Sequence, residues 1–130
     1  MNNNADLLGG WLRKAESDVV SMEATLKAGS LDGACFHAQQ AAEKYLKAFL
    51  VFHGTAFPYT HNLAELAQLC SHIDGSFRSL VSIVAPLTPY AVRLRCDDSF
   101  WPTRDAADEA RSAALAVQQF VLSRLPKKTT

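Results

Sequence analysis

Net charge, cysteine pairs and long apolar runs are all missing from this sequence. Its 13 lysines and arginines equal its 13 aspartates and glutamates, so the formal net charge at pH 7 is zero. Attraction to nucleic acid or membrane through net charge is therefore excluded, although a local basic patch is not. The three cysteines, Cys35, Cys70 and Cys96, are widely spaced and form no CxxC pair. This pattern argues against a disulfide framework and a thiolate zinc site, and it favours a reducing cytoplasm.

The motifs of membrane proteins, metalloenzymes and dinucleotide-binding enzymes are missing as well. No apolar run approaches the roughly 18 residues that span a bilayer, and no basic and apolar leader follows Met1. There is no HExxH or Glu-x-x-His motif. Two Cys-x-His pairs are present, Cys35 with His37 and Cys70 with His72, but residues two apart on a helix point away from each other and cannot bind one metal ion together. There is no P-loop or glycine-rich dinucleotide pattern. We therefore expect a cytoplasmic protein without membrane span, metal or cofactor, in which side chains and helix ends hold any nucleotide.

What the sequence does contain is enough apolar material for one core. Its 130 residues match the usual size of a single domain, and 48% of them are hydrophobic while 20% are charged. A chain of this length buries roughly two-thirds of its unfolded surface on folding, so it needs no disulfide or metal to hold it together. We expect residues 1–130 to form one domain.

The apolar residues recur at helical spacing, and no alternating strand pattern is present. Gly29, Gly54 and Gly75 follow long helical stretches, where left-handed residues that close helices are expected. Thr88 followed by Pro89 is typical of an N-cap and a first helical position. The pattern predicts helices over residues 5–28, 30–53, 62–73, 76–85 with a restart over 88–95, and 103–126. Together they predict an all-α, up-and-down antiparallel bundle of four or five helices.

N-terminal caps support three of these helices. Ser30, Asn62 and Thr103 each stand just before an apolar periodic stretch, and Glu65 follows Asn62 by three residues as in a capping box. Pro126 ends the last helix.

The second helix carries a row of polar side chains opposite its apolar stripe. At 100° per residue the row consists of His37, Gln40, Lys44 and Lys47, with His37 and Lys44 nearly eclipsed and roughly 10 Å apart. Such a row suits a phosphate or a ribose, because lysines supply point charges and Gln40 supplies a hydrogen-bonding group. A solvated helix face explains the same pattern.

Four segments of the sequence resemble the bacterial HEPN domain family. They are ACFHAQQAAEKYLKAFLVFHG, FPYTHNLAEL, YAVRLRCDDSFWP and DAADEARSAALAVQQFV. The resemblance as a whole extends from about Trp11 to Leu125. The elements FHAQQAAEK and TH-x-L are the most specific. The resemblance implies a helical bundle that commonly homodimerises, is often encoded beside a small nucleotidyltransferase in a toxin–antitoxin-like pair, and is associated with nucleotide or RNA binding.

The resemblance also implies a ribonuclease motif, but that motif is incomplete here. Many family members are metal-independent ribonucleases with an arginine followed about four to six residues later by a histidine, which acts as general acid or base. Arg95 is the counterpart of that arginine, yet Ser99, Phe100 and Trp101 stand where the histidine belongs. Catalysis would need His37 or His61 to approach Arg95 through folding or across a dimer. Otherwise we expect His61 to bond loop backbone groups near the third helix.

The loop CDDSFWP admits two interpretations. In one, Asp97 orients the guanidinium groups of flanking arginines while Phe100 and Trp101 stack on a base or pack against another subunit. In the other, the loop is a hydrated acidic turn, and Arg95 only complements the negative end of its helix.

Three functions follow as hypotheses. The first is a nucleotide- or RNA-binding partner of a small nucleotidyltransferase, with no DNA-specific motif, whose ligand contacts His37, Gln40, Lys44, Arg95 and Asp97. The second is a metal-independent endoribonuclease with Arg95 and either His37 or His61 as catalytic residues. The third is a non-catalytic dimeric interaction module that buries an exposed apolar set, Phe36, Val51 and Trp101, against a second subunit.

Overall fold

The protein is an all-α bundle in the part of the chain that the structure describes. The computed structural model describes residues 3–126, without the side chains of Asn3, Asn4 and Arg95. Its helices are α1 (Asn3–Lys27), α2 (Leu31–Phe52), α3 (Leu63–Ile73), α4 (Arg78–Val84), α5 (Arg93–Cys96) and α6 (Arg104–Ser123), and short 3-10 helices span Gly75–Phe77 and Ala85–Ala91. Five α-helices exceed one turn and residues 3–126 contain no strand, so the predicted fold class is confirmed. None of these helices is long and apolar enough to cross a bilayer.

Helix α2 forms the centre of the bundle. It is buried nearly all round, with α1, α3, α6 and the 3-10 helix Ala85–Ala91 packed against it. Its alanines let neighbouring helices approach closely, and Gly33 does so at the crossing with α1. A Cβ on Gly33 would lie 2.9 Å from Ser30 Oγ and 3.1 Å from Thr25 Cγ2. The apolar faces of α1 and α6 pack toward this helix, and their buried residues include Ala15, Val19, Met22, Leu26, Ala107, Ala110, Ala114, Val117 and Val121.

Most predicted helix ends are confirmed. Gly29 and Gly54 have φ of 83° and 64°, the left-handed conformation that closes α1 and α2. Asn62 accepts a hydrogen bond from the Glu65 N–H at 3.2 Å, and Thr103 accepts one from the Ala106 N–H at 3.1 Å. Both side chains thus cap their helices as the sequence indicated.

Two local predictions are wrong, and a third, the Ser30 cap, is right in position only. Ser30 occupies the N-cap position of α2, but its hydroxyl donates to Asp32 at 3.2 Å instead of capping the helix. Gly75 does not close α3, because an extended Asp74 ends that helix and Gly75 starts the next 3-10 turn. No helix restarts at Thr88, since the 3-10 helix continues through Pro89, and the Thr88 hydroxyl accepts from the Leu63 N–H at 3.1 Å. Thr88 therefore supports the start of α3.

The connection over residues 53–62 acts as a return segment. His61 lies opposite Gln39, and the Cys70 thiol donates to the Leu46 carbonyl at 3.6 Å. Residues 53–62 therefore carry the chain back along α2 to the level of Gln39, and α3 begins there. This placement brings the loop against the polar side of α2.

Polar side chains tie the outer helices to the centre. The Tyr45 hydroxyl on α2 donates to Glu16 on α1 at 3.1 Å and accepts from Gln118 on α6 at 2.9 Å. The Arg111 guanidinium binds both carboxylate oxygens of Glu23, with the second contact at 2.9 Å. The first and last helices are therefore joined through side chains as well as through the core.

Candidate functional site

The polar row on α2 is not a solvated face. Lys47 is only 7% exposed, and His37, Gln40 and Lys44 are each half-buried. The reason is that α1 and the return segment cover this side of α2, so the row faces protein. The sequence predicted that this row lies opposite the packed side of α2, and that prediction is wrong because this side is packed as well. The row divides into two clusters, each built around one carboxylate.

The first cluster consists of Asp18, His37 and Lys44, and we call it the Asp18 cluster. His37 Nδ1 lies 2.9 Å from Asp18 Oδ1, and the Lys44 ammonium donates to Asp18 Oδ2. Asp18 is buried within α1, whereas His37 and Lys44 remain partly open to solvent. Because the carboxylate accepts from His37 Nδ1, Nε2 is the ring atom left for a ligand. The sequence placed His37 and Lys44 together but did not identify Asp18, which joins them.

Lys44 also lines a groove between α1 and α2, which we call the α1–α2 groove. Its volume is about 450 Å³, and its walls are Asp6, Leu7, Gly10, Trp11, Lys14 and Lys44. Lys14 is exposed and forms no ion pair with any residue that the structure describes. The groove thus joins the Asp18 cluster to a second, unneutralised cation.

The second cluster consists of Gln39, Glu43, Lys47 and His61, and we call it the Glu43 cluster. The buried Glu43 carboxylate accepts from Gln39 Nε2 at 2.9 Å and from Lys47 Nζ at 3.0 Å. His61 Nδ1 lies 2.9 Å from Glu43 Oε1. All buried polar side-chain atoms within residues 3–126 have partners, so this cluster is satisfied internally.

Electrostatics explains why Glu43 remains ionised in the interior. Burial by itself raises the pKa of the Glu43 carboxyl. Hydrogen bonds from Gln39, His61 and Lys47 oppose this effect, and together with the Lys47 charge they hold the pKa of Glu43 below its ordinary value. The carboxylate therefore carries a full negative charge at neutral pH.

One sequence expectation changes at the Glu43 cluster. His61 binds a buried glutamate instead of loop backbone groups, while its own carbonyl accepts from Gln39 at 3.4 Å. Gln40 Nε2 donates to Gln39 Oε1 at 2.7 Å, and the predicted contact of Gln40 with a ligand stays a prediction. A signal for this cluster was present in the sequence, since Gln39, Glu43 and Lys47 follow one another at intervals of four residues.

The loop after α5 is an exposed polar turn with an aromatic side. Asp97 Oδ1 accepts from the Ser99 backbone and hydroxyl at 3.1 and 2.6 Å, and Asp97 Oδ2 lies 3.5 Å from the Arg93 guanidinium. The same guanidinium lies 3.9 Å from the centre of the Phe100 ring, which stacks on Tyr90. Asp97 thus orients Arg93. The side chain of Arg95 lies outside the described residues, so its predicted approach to His37 or His61 stays a prediction.

The apolar set of the interaction hypothesis is only partly exposed. Trp101 is 69% exposed, but Phe36 and Val51 are half-buried. Phe36 packs edge-on against the His37 ring at 5.4 Å between ring centres. The expectation that Phe36 and Val51 are exposed is wrong, because α2 is surrounded by other elements.

Metal-ligating residues do not gather in residues 3–126. No group of three or more histidines, cysteines, aspartates or glutamates in that range is placed to hold an ion. The thiols of Cys35 and Cys70 are buried, and burial raises their pKa values to about 11 and about 12. Both thiols are consequently protonated at neutral pH.

Comparison with known proteins gives a consistent result. The family model described as "HEPN domain" matches residues 9–125. The chain is similar to TT1696 from Thermus thermophilus, with 30% sequence identity, a TM-score of 0.78, and coverage of 96% of this chain and 100% of that one. It is also similar in fold to ST0689, an archaeal HEPN homologue, with 22% identity, a TM-score of 0.73, and coverage of 90% and 96%. No curated protein matches the sequence.

Proposed function

The chain belongs to the HEPN domain family, and from that premise we propose that it is a nucleotide- or RNA-binding helical protein. The binding site of this proposal is the Asp18 cluster with the adjoining α1–α2 groove. The family's association with nucleotides and RNA supports the class of ligand. The chemistry of the groove supports the location.

One observation carries the proposal: two α2 side chains, His37 and Lys44, meet at one carboxylate beside a groove that holds a second lysine. Lysine ammonium groups bind phosphate as point charges, and the imidazole can donate from Nε2 when it is protonated. Together with Lys14, the site offers three nitrogen groups to an anion. Asp18 positions two of them, as a supporting carboxylate does in many binding sites.

Asp18 also limits the affinity. Its negative charge already neutralises Lys44, so a phosphate must share the ammonium with the carboxylate. We therefore expect few phosphate contacts and a weak dependence on salt, with a slope of log K against log salt of about −1 to −2. A broad basic surface would give a much steeper slope.

Calorimetry with ATP and with short single-stranded RNAs tests the proposal. We expect wild type to bind, and Lys44→Ala to lose at least about tenfold in affinity, since a hydrogen bond between charged groups contributes about 1.5 to 3 kcal/mol. Lys27→Ala is the matched control, because Lys27 is an exposed lysine at the far end of α1. Absence of binding, or equal binding by wild type and Lys44→Ala, removes this site.

The proposal includes a protein partner. A small nucleotidyltransferase encoded beside this protein, in a toxin–antitoxin-like pair, is supported by family membership alone, as are homodimerisation and a cytoplasmic location. Copurification after coexpression with such a neighbour tests the pairing. Sedimentation over a range of concentrations tests the dimer, and a monomer throughout would contradict it.

A metal-independent endoribonuclease is the second candidate function. The observation that favours it is that His37 and His61 each hold Nδ1 against a carboxylate, which fixes the ring and leaves Nε2 for proton transfer. Incubation with RNA in excess chelator tests the activity. We expect cleavage to be lost in Arg95→Ala and in either His37→Gln or His61→Gln. Cleavage that survives Arg95→Ala would show a different catalytic arrangement.

A further inference from the structure

Gly10 is a helical glycine for which the fold provides no reason. It lies inside α1, where glycine costs about 1 kcal/mol relative to alanine. A Cβ added to Gly10 would meet no heavy atom within 4 Å, and its φ is not positive. Close packing and backbone conformation, the two usual reasons for glycine, are therefore both absent. What Gly10 does border is the α1–α2 groove.

Trp11 forms the adjoining wall, and the protein holds it in place from behind. Its ring packs edge-on against Phe57, with 6.3 Å between ring centres. The Lys47 ammonium lies 5.8 Å from the centre of the Trp11 ring and 5.4 Å from that of Phe57. Lys47 is in turn fixed by Glu43. The half-buried indole is thus supported on a rigid base while also lining the groove.

Aromatic and cationic side chains line different parts of the groove. Gly10 and Trp11 offer an aromatic surface beside bare backbone, and Lys14 and Lys44 offer positive charge. Asp6 adds one carboxylate, which suits the hydroxyl groups of a ribose. A volume of about 450 Å³ lies in the range of small-molecule sites.

We infer that the Gly10–Trp11 end of the groove is a nucleobase subsite. The base of a nucleotide unit, either free or within single-stranded RNA, stacks on Trp11 and passes over Gly10, where a side chain would obstruct it. Its phosphate lies between Lys14 and Lys44. This inference rests on the proposed function and adds which part of the ligand is recognised, and where.

Fluorescence of Trp11 provides a direct test. The sequence has two tryptophans, so Trp101→Phe leaves Trp11 as the sole tryptophan reporter. We expect AMP, GMP and a short single-stranded RNA to change Trp11 emission with the same dissociation constant that calorimetry gives. Ribose 5-phosphate should bind more weakly and leave the emission unchanged. Comparing the mononucleotides with the RNA distinguishes the two sources of the base.

Gly10→Leu tests the steric part of the inference. Leucine favours the helix and enters open space, so the variant should fold, while base-containing ligands should bind about tenfold or more weakly because stacking is lost. Affinity for ribose 5-phosphate should change little. Ala24→Leu places the same side chain on an exposed position of α1 and should bind like wild type.

The outcomes separate this inference from the proposed function. Calorimetric binding that depends on Lys44, with silent Trp11 emission and unaltered affinity in Gly10→Leu, would overturn the base subsite and leave the proposed function standing. If no nucleotide or RNA binds at all, both fall together.

Discussion

Glu43 carries a charge that is buried in the interior. It is buried beside Lys47 and shares a hydrogen-bonded cluster with Gln39 and His61. We expect Glu43→Gln to lower the free energy of unfolding by about 3 to 5 kcal/mol, because it leaves Lys47 as a buried charge without a counterion. Chemical denaturation measures this loss.

The exposed Glu109 provides the control for this prediction. Glu109→Gln should change the free energy of unfolding by less than about 0.5 kcal/mol, as exposed substitutions usually do. The double variant Glu43→Gln with Lys47→Met should recover part of the loss, because it removes both charges. A loss in Glu43→Gln as small as that in Glu109→Gln would show that Lys47 finds another counterion.

The lowered pKa of Glu43 also predicts how stability depends on pH. Since the pKa is lower in the folded state than its ordinary value of 4.5, the unfolded chain binds the proton more readily. The contribution of Glu43 is therefore fully present above its unfolded pKa and is lost as pH falls through its folded pKa.

Unfolding curves measured from pH 7 to pH 3 check the effect. We expect the free energy of unfolding to fall with acid less steeply in Glu43→Gln than in wild type, because the variant lacks this titrating group. Parallel profiles for the two proteins would mean that other lowered carboxyls, such as those of Glu23, Asp74 and Asp97, account for the acid sensitivity.

At the level of single residues, the sequence revealed part of the site. Helical periodicity brought His37 and Lys44 together, because both belong to one regular helix. It did not reveal Asp18, since a lone aspartate on another helix gives no periodic signal and its role depends on how α1 packs. His61 was recognised as notable, but its partner Glu43 lies 18 residues away in sequence and is brought to it only by the return segment.

Glycines within the helices lead to opposite predictions for the same substitution. Gly10→Ala should raise the free energy of unfolding by about 1 kcal/mol, because alanine favours the helix and its Cβ meets no atom within 4 Å. Gly33→Ala should lower it by about 1 to 3 kcal/mol, because the new Cβ would lie 2.9 Å from Ser30 Oγ and 3.1 Å from Thr25. Thermal unfolding compares the two. Equal effects would show that helix propensity alone decides both positions.

The N-cap residues allow a second comparison between elements. Thr103→Ala should cost about 1 kcal/mol, because it removes the hydrogen bond to the Ala106 N–H. Ser30→Ala should cost a few tenths of a kcal/mol, since the Ser30 side chain does not cap α2. Chemical denaturation measures both, and a larger loss in Ser30→Ala would contradict the structural assignment.

Long helices and α4 were predictable at this level, and the 3-10 helix Ala85–Ala91 was not. Helices α1, α2 and α6 have continuous apolar periodicity, so local sequence determines them. Pro86 and Pro89 lie in a 3-10 helix whose position depends on tertiary contacts, among them the bond from Leu63 to Thr88. Local motifs predicted a helix start at Thr88, but its hydroxyl instead accepts a hydrogen bond from the Leu63 N–H.

Tyr45 on α2 bonds to α1 and α6, so its side chain contributes to the stability of the whole bundle. Its buried hydroxyl bonds to Glu16 on α1 and Gln118 on α6, and burial raises the pKa of Tyr45 to about 12. We expect Tyr45→Phe to lower the global free energy of unfolding by about 1 kcal/mol. Hydrogen exchange should show this loss in α1, α2 and α6 alike, because the bond is shared among them.

Glu23→Gln is the comparison for Tyr45→Phe. The Glu23–Arg111 pair also joins α1 to α6, but the Arg111 and Glu23 side chains are 40% and 43% exposed, so its loss should cost less than about 1 kcal/mol. A reduction in protection confined to α2 in Tyr45→Phe would indicate that the three helices open separately.

The order in which the helices pack around α2 also matters during synthesis. Helix α6 is the last described helix in the chain, and its alanine and valine face covers α2. Until this segment has emerged and folded, the side of α2 that α6 covers, which includes Tyr45, stays open to solvent. Nascent chains are thus open to aggregation and chaperone capture until α6 has left the ribosome and packed onto α2.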